Sequence, residues 1–300
     1  MEHDTTVRID AALAAVPPTM TVYRTEGPRT FARGDRDVRD LVAKRVRRWT
    51  EAFPTDAEPR DLGDRVLLID DRQALEVFVP TESMWWSNRA TAFAEQPPSE
   101  PLPGPEAAAA EALAAIGRLD ASGADWTVAR VGTVNAGMSR SPDDPGELVA
   151  TMVTVVLGLI YDGLPVVGPG ARTRVSFGGG GELAEFAQFW RDVRPALEVT
   201  PLGPEEAIER LAADARFSGV FAAGLTVVVD GFRLAHFAAG PSVSQRYLVP
   251  VYEASGYVEG SEAEDDRFNL FVPAVDADPA DLKTMMVRDR PGVRPVFGSF

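Results

Sequence analysis

Cysteine is absent from the 300 residues, which excludes disulfides, thiolate catalysis and every cysteine-based zinc or iron–sulfur site. Histidine is scarce. His3 and His236 are the whole supply, too few for a histidine-built metal centre, and His3 lies in an acidic stretch. Lysine is nearly missing too, with only Lys44 and Lys283 beside a large excess of arginine. No apolar run reaches the ~20 residues that cross a bilayer, residues 148–160 included. The opening Met1-Glu2-His3-Asp4 is acidic and has no apolar core of signal-peptide length, so the cytoplasm is the expected location.

Positive charge is also in deficit. Thirty basic residues face 45 acidic ones, giving a formal charge of −15 and a pI of about 4.6. Such a surface repels nucleic acid phosphates and anionic headgroups, so neither nucleic acid nor a membrane is an expected partner. The basic stretch 44–48 does not alter this, because Val38, Leu41, Val42, Val46 and Trp49 around it recur at helical spacing. It reads as the solvated face of a helix.

Several chemical motifs are missing as well. Gly-x-Ser-x-Gly does not occur. The glycine run 178–181 has no following Gly-Lys-Ser/Thr and reads as a hairpin, and residues 163–170 read as a turn beside a buried strand. Glu259, Glu262, Glu264, Asp265 and Asp266 lack the spacing of a calcium loop and read as a solvated hairpin tip. No metal and no cofactor is therefore expected.

What is present is ordinary globular composition, 45% hydrophobic and 25% charged, on a chain long enough for two or three modules. Residues 1–100 read as an N-terminal strand and helix module. It has a strand over 21–24, an amphipathic helix over 35–53, strands over 65–70 and 75–80, and an extended 84–87. A proline-rich linker at 96–105 ends it. Residues 101–200 follow with an Ala/Leu/Glu helix over 106–119, with Pro105 near its first turn. Then come strands over 126–135, 148–160, 171–177 and 183–190, with 148–160 expected to be buried on both faces. Residues 201–300 repeat the order with a helix over 204–216 and strands over 225–230, 233–237, 247–256 and 267–275. The tail 281–300 reads as irregular. The fold class is α+β, with two helix-on-antiparallel-sheet units after the N-terminal module.

This order resembles the PepSY-like domains, in which one helix packs across a curved antiparallel sheet in a cystatin-like way. The likeness covers roughly residues 104–275. It rests on Tyr161-Asp162-Gly163-Leu164-Pro165-Val166-Val167-Gly168-Pro169-Gly170, on the hairpin from Gly181-Glu182 to Phe189-Trp190-Arg191, and on the helix opening Leu202-Gly203-Pro204-Glu205-Glu206-Ala207. Tyr247-Leu248-Val249-Pro250-Val251-Tyr252 and Phe271-Val272-Pro273-Ala274 match the closing strands. The resemblance implies an inhibitory, regulatory or peptidase-associated module, usually in an exported protein.

Two functions are compatible with these residues. One is a cofactor-independent cyclase or isomerase that preorganises an apolar, polyketide-like small molecule, a reaction that gains from orientation alone. Tyr161, His236, Tyr247 and Glu253 would then exchange hydrogen bonds or protons with a polarised carbonyl, and Trp85, Trp86, Phe189, Trp190, Tyr252 and Tyr257 would line the pocket. Trp85 and Trp86 should point to opposite faces of an extended segment. For His236, among apolar neighbours, the structural alternative is a satisfied core histidine, and for the aromatics it is ordinary core packing. The other function is a non-catalytic module that docks a protein partner.

Overall fold

The computed structural model describes residues 7–13, 15–25, 36–81, 83–94, 97–119, 125–138, 147–243, 245–261 and 267–276. The fold is mixed α+β, with few helices and mostly antiparallel strands. Strands β1 (Val7–Ile9) and β2 (Met20–Thr25) precede helix α1 (Arg36–Ala52). Strands β3 (Arg60–Asp61), β4 (Arg65–Ile69), β5 (Gln73–Phe78) and β6 (Met84–Asn88) lead to the short α2 (Arg89–Ala92) and to α3 (Pro105–Leu119). Next are β7 (Asp125–Met138), β8 (Glu147–Tyr161), β9 (Leu164–Val167), β10 (Arg172–Phe177), β11 (Leu183–Phe189) and β12 (Val193–Val199). Helices α4 (Pro204–Ala212) and α5 (Ser218–Ala222) are followed by β13 (Thr226–Phe237), β14 (Tyr247–Glu259) and β15 (Arg267–Pro273). The chain forms two compact units. The first gathers Met1–Thr25, Val193–Ala239 and Gln245–Phe300, and the second gathers Glu26–Asp192 and Gly240–Ser244.

In the second unit β8 is flanked by β7 on one side and by β9 and β10 on the other, and the sheet runs on through β11, β6, β5 and β4 to β3, antiparallel throughout. The Asp162-Gly163 turn between β8 and β9 has φ of 54° and 72°, the left-handed backbone that a two-residue hairpin loop requires. Helix α3 packs on β7 and β8. Its alanine-rich sequence keeps the backbone close to the sheet, burying Ala108, Ala112, Ala115 and Ile116 at helical spacing. Ala108, Ala112 and Ile116 meet Val153, Val155 and Leu157 of β8, Phe186 of β11, Trp86 of β6 and Trp49 of α1 in one core. Each large apolar side chain fully buried there contributes ~1.5–3 kcal/mol against exposure.

Four expectations for this unit change, the first being 163–170 as a turn: Leu164–Val167 is strand β9, hydrogen-bonded back onto β8. From Val153 to Ile160 strand β8 is buried on one face only: Val153, Val155, Leu157 and Leu159 are inside, while Thr154, Val156, Gly158 and Ile160 are half-covered, because the helices lie on one side of the sheet. Met152, before them on the second face, is buried too. The basic stretch is not uniformly solvated either. Lys44 and Arg47 are exposed, Arg48 lies 4.9 Å over the Trp49 ring, and Arg45 is buried, donating to the Val79 carbonyl at 2.5 Å. The glycine run 178–181 does close the β10–β11 hairpin, through a 3₁₀ turn, but the run answers to crowding as well. A Cβ on Gly178 would stand 2.4 Å from Thr91, and one on Gly179 would stand 2.6 Å from the Glu100 carbonyl.

The first unit orders its strands β12, β2, β14, β13, with β15 antiparallel beside β14 and β1 parallel beside β13. The two strands expected over 225–237 are one. Asp230 is a bulge between the pairs Val229–Gly256 and Gly231–Ser255, and its carboxylate takes bonds from Ser255 and Arg267. Helix α4 stops at Ala212, earlier than expected, because Asp214 caps a separate 3₁₀ turn by accepting from the Arg216 amide. Strand β12 has no counterpart in the periodicity reading. Its middle residues, from Arg194 to Glu198, are exposed, so no buried stripe marks it. Residues 262–266 and 281–300 lie outside the described residues, and Glu259 takes the Arg8 guanidinium at 2.7 Å.

Candidate functional site

The second unit's sheet has one face under the helices and one face that they leave open. Pairing register assigns the residues of the open face, since side chains in one cross-strand row share a side. One row runs Gly132, Thr154, Ser176, Glu185, Ser87 and Ala74 from β7 to β5. The next runs Arg130, Val156, Arg174, Ala187, Trp85 and Glu76, and Thr127, Gly158, Arg172 and Phe189 lie beyond it.

Polar groups on this face are linked. Thr154 Oγ1 and Ser176 Oγ are 2.8 Å apart, Ser176 donates to Glu185 Oε2 at 3.2 Å, and an Arg174 terminal nitrogen lies 3.5 Å from the same oxygen. Ser87 and Ser176 are fully buried between longer neighbours, as is Ala187. Buried Nε1 of Trp85, Oγ of Ser87 and Nε of Arg174 have no hydrogen-bond partner among the described residues. Such groups are costly unless something satisfies them. Arg130 and Arg172 are exposed and have no ion-pair partner among the described residues. Gly158 and Gly132 keep the surface between these side chains low, and the Arg130 guanidinium extends over Gly132, 3.7 Å from where its Cβ would stand. The face therefore offers the exposed Arg130 and Arg172 and the Thr127 and Thr154 hydroxyls, while its two carboxylates, Glu185 and Glu76, are already taken by Arg174 and Arg65. This suits recognition of acidic or hydrogen-bond-accepting groups.

The residues expected to be catalytic or ligand-binding divide between the two units. In the second, Trp85 and Trp86 take opposite faces, as an extended segment requires. Trp86 stacks on Phe53 in the core at 4.7 Å, and Trp85 stands on the open face. Phe189 packs edge-on to Phe78 at 6.1 Å, and Tyr161 meets the buried Trp190 at 5.9 Å. Burial, and then the nearby Asp162 and Asp192 carboxylates, hold the Tyr161 hydroxyl above its ordinary pKa. In the first unit His236 is buried edge-on against Tyr23 at 5.3 Å. Tyr252 stacks on Phe232 and donates to the Leu202 carbonyl at 2.7 Å, and burial raises its pKa as well. Glu253 accepts from Arg233 and Asn269, Tyr247 lies under Arg246, and Tyr257 under Arg267.

Sequence reasoning did not single out Arg130, Arg172, Arg174, Thr154, Ser176, Glu185 or Ser87. One local signal for them exists: Arg172-x-Arg174-x-Ser176 alternates with the apolar side of β10 and marks a polar sheet face.

No family model matches the chain, and no curated protein matches it in sequence. Among solved structures it is similar to an uncharacterized protein from Eubacterium rectale at 11% identity and a TM-score of 0.46, over 90% of this chain and 89% of that one. It is also similar to YycH from Bacillus subtilis at 10% identity and a TM-score of 0.39, over 87% of this chain and 54% of that one. Neither likeness says what this chain binds. Among the described residues no helix is long and apolar enough to cross a membrane.

Proposed function

We propose that the chain is a non-catalytic binding module that docks a protein partner on the open sheet face of its second unit, in a cytoplasmic setting. The carrying observation is the pair Arg130 and Arg172, two exposed arginines on neighbouring rows of one sheet face in a chain of formal charge −15. Neither has an ion-pair partner among the described residues, and Arg174 beside them is compensated by Glu185. An acidic partner is repelled by the average surface and attracted here, which gives orientation and specificity. The first unit's polar candidates favour the same reading, because Glu253 and Tyr252 already serve neighbouring structural groups. A PepSY-like plan goes with it, with α3 leading into β7–β11 and α4 into β13–β15 as helix-then-sheet repeats.

A photo-crosslinking residue at Thr127, on the open face, tests this in the living host against one at Glu111, on the exposed side of α3. The Thr127 probe is expected to give a discrete product that Glu111 does not. Combining Arg130→Glu with Arg172→Glu should lower its yield roughly tenfold or more. Equal labelling at Glu111, or an unchanged product in the double variant, sinks the proposal.

The second reading, a cofactor-independent cyclase or isomerase of an apolar polyketide-like molecule, is supported by the Tyr161–Trp190 pair. A phenol whose pKa is raised by burial stays protonated at neutral pH and can donate to a carbonyl. Purified protein without added cofactor, incubated in extract from a host lacking the gene, should then yield a product of unchanged mass. Tyr161→Phe and Trp190→Ala should each abolish that conversion, and turnover retained in both variants removes this pocket.

A further inference from the structure

We infer that the partner docks by strand addition: an extended segment carrying an acidic and an apolar side chain four residues apart pairs with the outer edge of β7. This rests on the binding-module reading above and names its mode of recognition.

The first observation is the edge itself. Among the described residues β7 pairs with β8 alone, so along its 14 residues the other edge is open. Long edge strands are ordinarily blunted by charges, proline or bulges, because unpaired N–H and C=O groups template another strand. This one carries two charges, Asp125 and Arg130, and no proline; a bulge at Ala129 and a second register shift after Val134, where Thr151 of β8 is skipped, leave 130–134 between them in regular register.

The second observation is a stretch of two-stranded ribbon that no third strand joins among the described residues. Strand β10 meets β8 only from Val153 onward, so β8 residues 147–152 pair with β7 alone. Two strands by themselves are marginal in water, and a third strand is what such a ribbon lacks. Val134 of this ribbon is 37% exposed, apolar surface beside which an added strand would lie.

The third observation selects the occupant. Arg130, Gly132 and Val134 alternate onto the open face along the edge, so an added strand sets one side chain beside Arg130 and one beside Val134. An acidic residue complements the first and an apolar residue the second. A second copy of this chain is the weaker occupant, because each copy brings a formal charge of −15.

Hydrogen exchange of the whole protein, followed by mass spectrometry, tests the mode. The probe is a short acetylated threonine-rich peptide with Glu and Val four residues apart, and the comparisons replace its Glu with Lys or its central threonine with proline. With the Glu peptide, exchange across 131–137 should slow by roughly tenfold, as paired amides do, and the proline peptide should have no effect. Arg130→Glu should reverse the preference between the Glu and Lys peptides. Protection elsewhere, no protection, or equal protection by the proline peptide overturns strand addition. So does protection that needs no peptide and grows with protein concentration, since the occupant is then a second copy. If the Thr127 crosslink persists while 131–137 stay unprotected, the binding face stands and only its mode fails; if the crosslink is also absent, the binding reading itself fails.

Discussion

Gly256→Ala is expected to destabilise the first unit by about 3 kcal/mol or more, the upper end of the range for inserting atoms into packed structure. A Cβ at this position on β14 would stand 1.9 Å from the Val228 carbonyl oxygen and 2.6 Å from the Phe268 ring. The first obstacle is backbone of the paired strand β13, which cannot rotate away as a side chain would. Phe268, opposite Gly256 on β15, lies against the bare backbone and meets Phe217 edge-on at 5.1 Å. The alanine therefore forces either the β13–β14 pairing or the aromatic contact apart. Gly117→Ala provides the counterpart. It lies on the exposed side of α3 with nothing within 4 Å of its Cβ, and should gain about 0.5–1 kcal/mol by removing backbone entropy from a helix. Urea denaturation of both variants separates the two effects, and a Gly256→Ala midpoint within error of the parent would contradict the register of β13 and β14.

Arg191→Ala should cost the second unit about 3–5 kcal/mol, the sum of a large core cavity and orphaned acceptors. The side chain is 2% exposed and donates to the carbonyls of Gly240 and Val243, at 3.1 and 3.4 Å, holding residues 240–243. Arg191→Met keeps most of the volume and should cost less, so the difference between the two variants reports packing. Burial, and then the Arg45 charge, push the Arg191 guanidinium down to about 10, which leaves it charged at neutral pH. Lysine starts from a lower value, so the same causes should bring Arg191→Lys into titration from roughly pH 8 to 10. A base whose folded pKa is depressed binds fewer protons folded than unfolded, so stability should rise with pH through that window. A flat profile for Arg191→Lys, with the parent measured alongside, would show that the site is more hydrated than its burial implies.

The elements that were legible beforehand are those whose causes are local. Helix α3 follows from its alanine, leucine and glutamate content and Pro105, and α1 from apolar residues at helical spacing. A turn after β8 is legible from its glycines, but they place it over 163–170, whereas the left-handed backbone is confined to Asp162-Gly163 in the β8–β9 loop and Leu164–Val167 is strand. The opposite orientation of Trp85 and Trp86 follows from strand geometry alone. By contrast, the Asp230-Gly231 pair also looks like a turn, and only the cross-strand bonds to Ser255 and Arg267 keep β13 running through it. Arg45 and Arg191 look like surface residues by type, and their burial depends on distant carbonyls that accept from them.

The amino-acid sequence by itself determined the chemistry that is closed to this protein, through its lack of cysteine and near-lack of histidine, and it determined the acidic surface and the mixed α+β class. Only the tertiary structure decided which residues share the open face. Thr127 and Arg130, three apart, stand on the same side because the bulge at Ala129 shifts the register between them. Ser87, Thr154, Ser176 and Glu185 form one row because four strands separated along the chain align at one register, and slipping any strand by one residue would turn its members to the helix side. Side-chain alternation is written locally, but the neighbour across the strand is set by long-range pairing, and the candidate site is made of such neighbours.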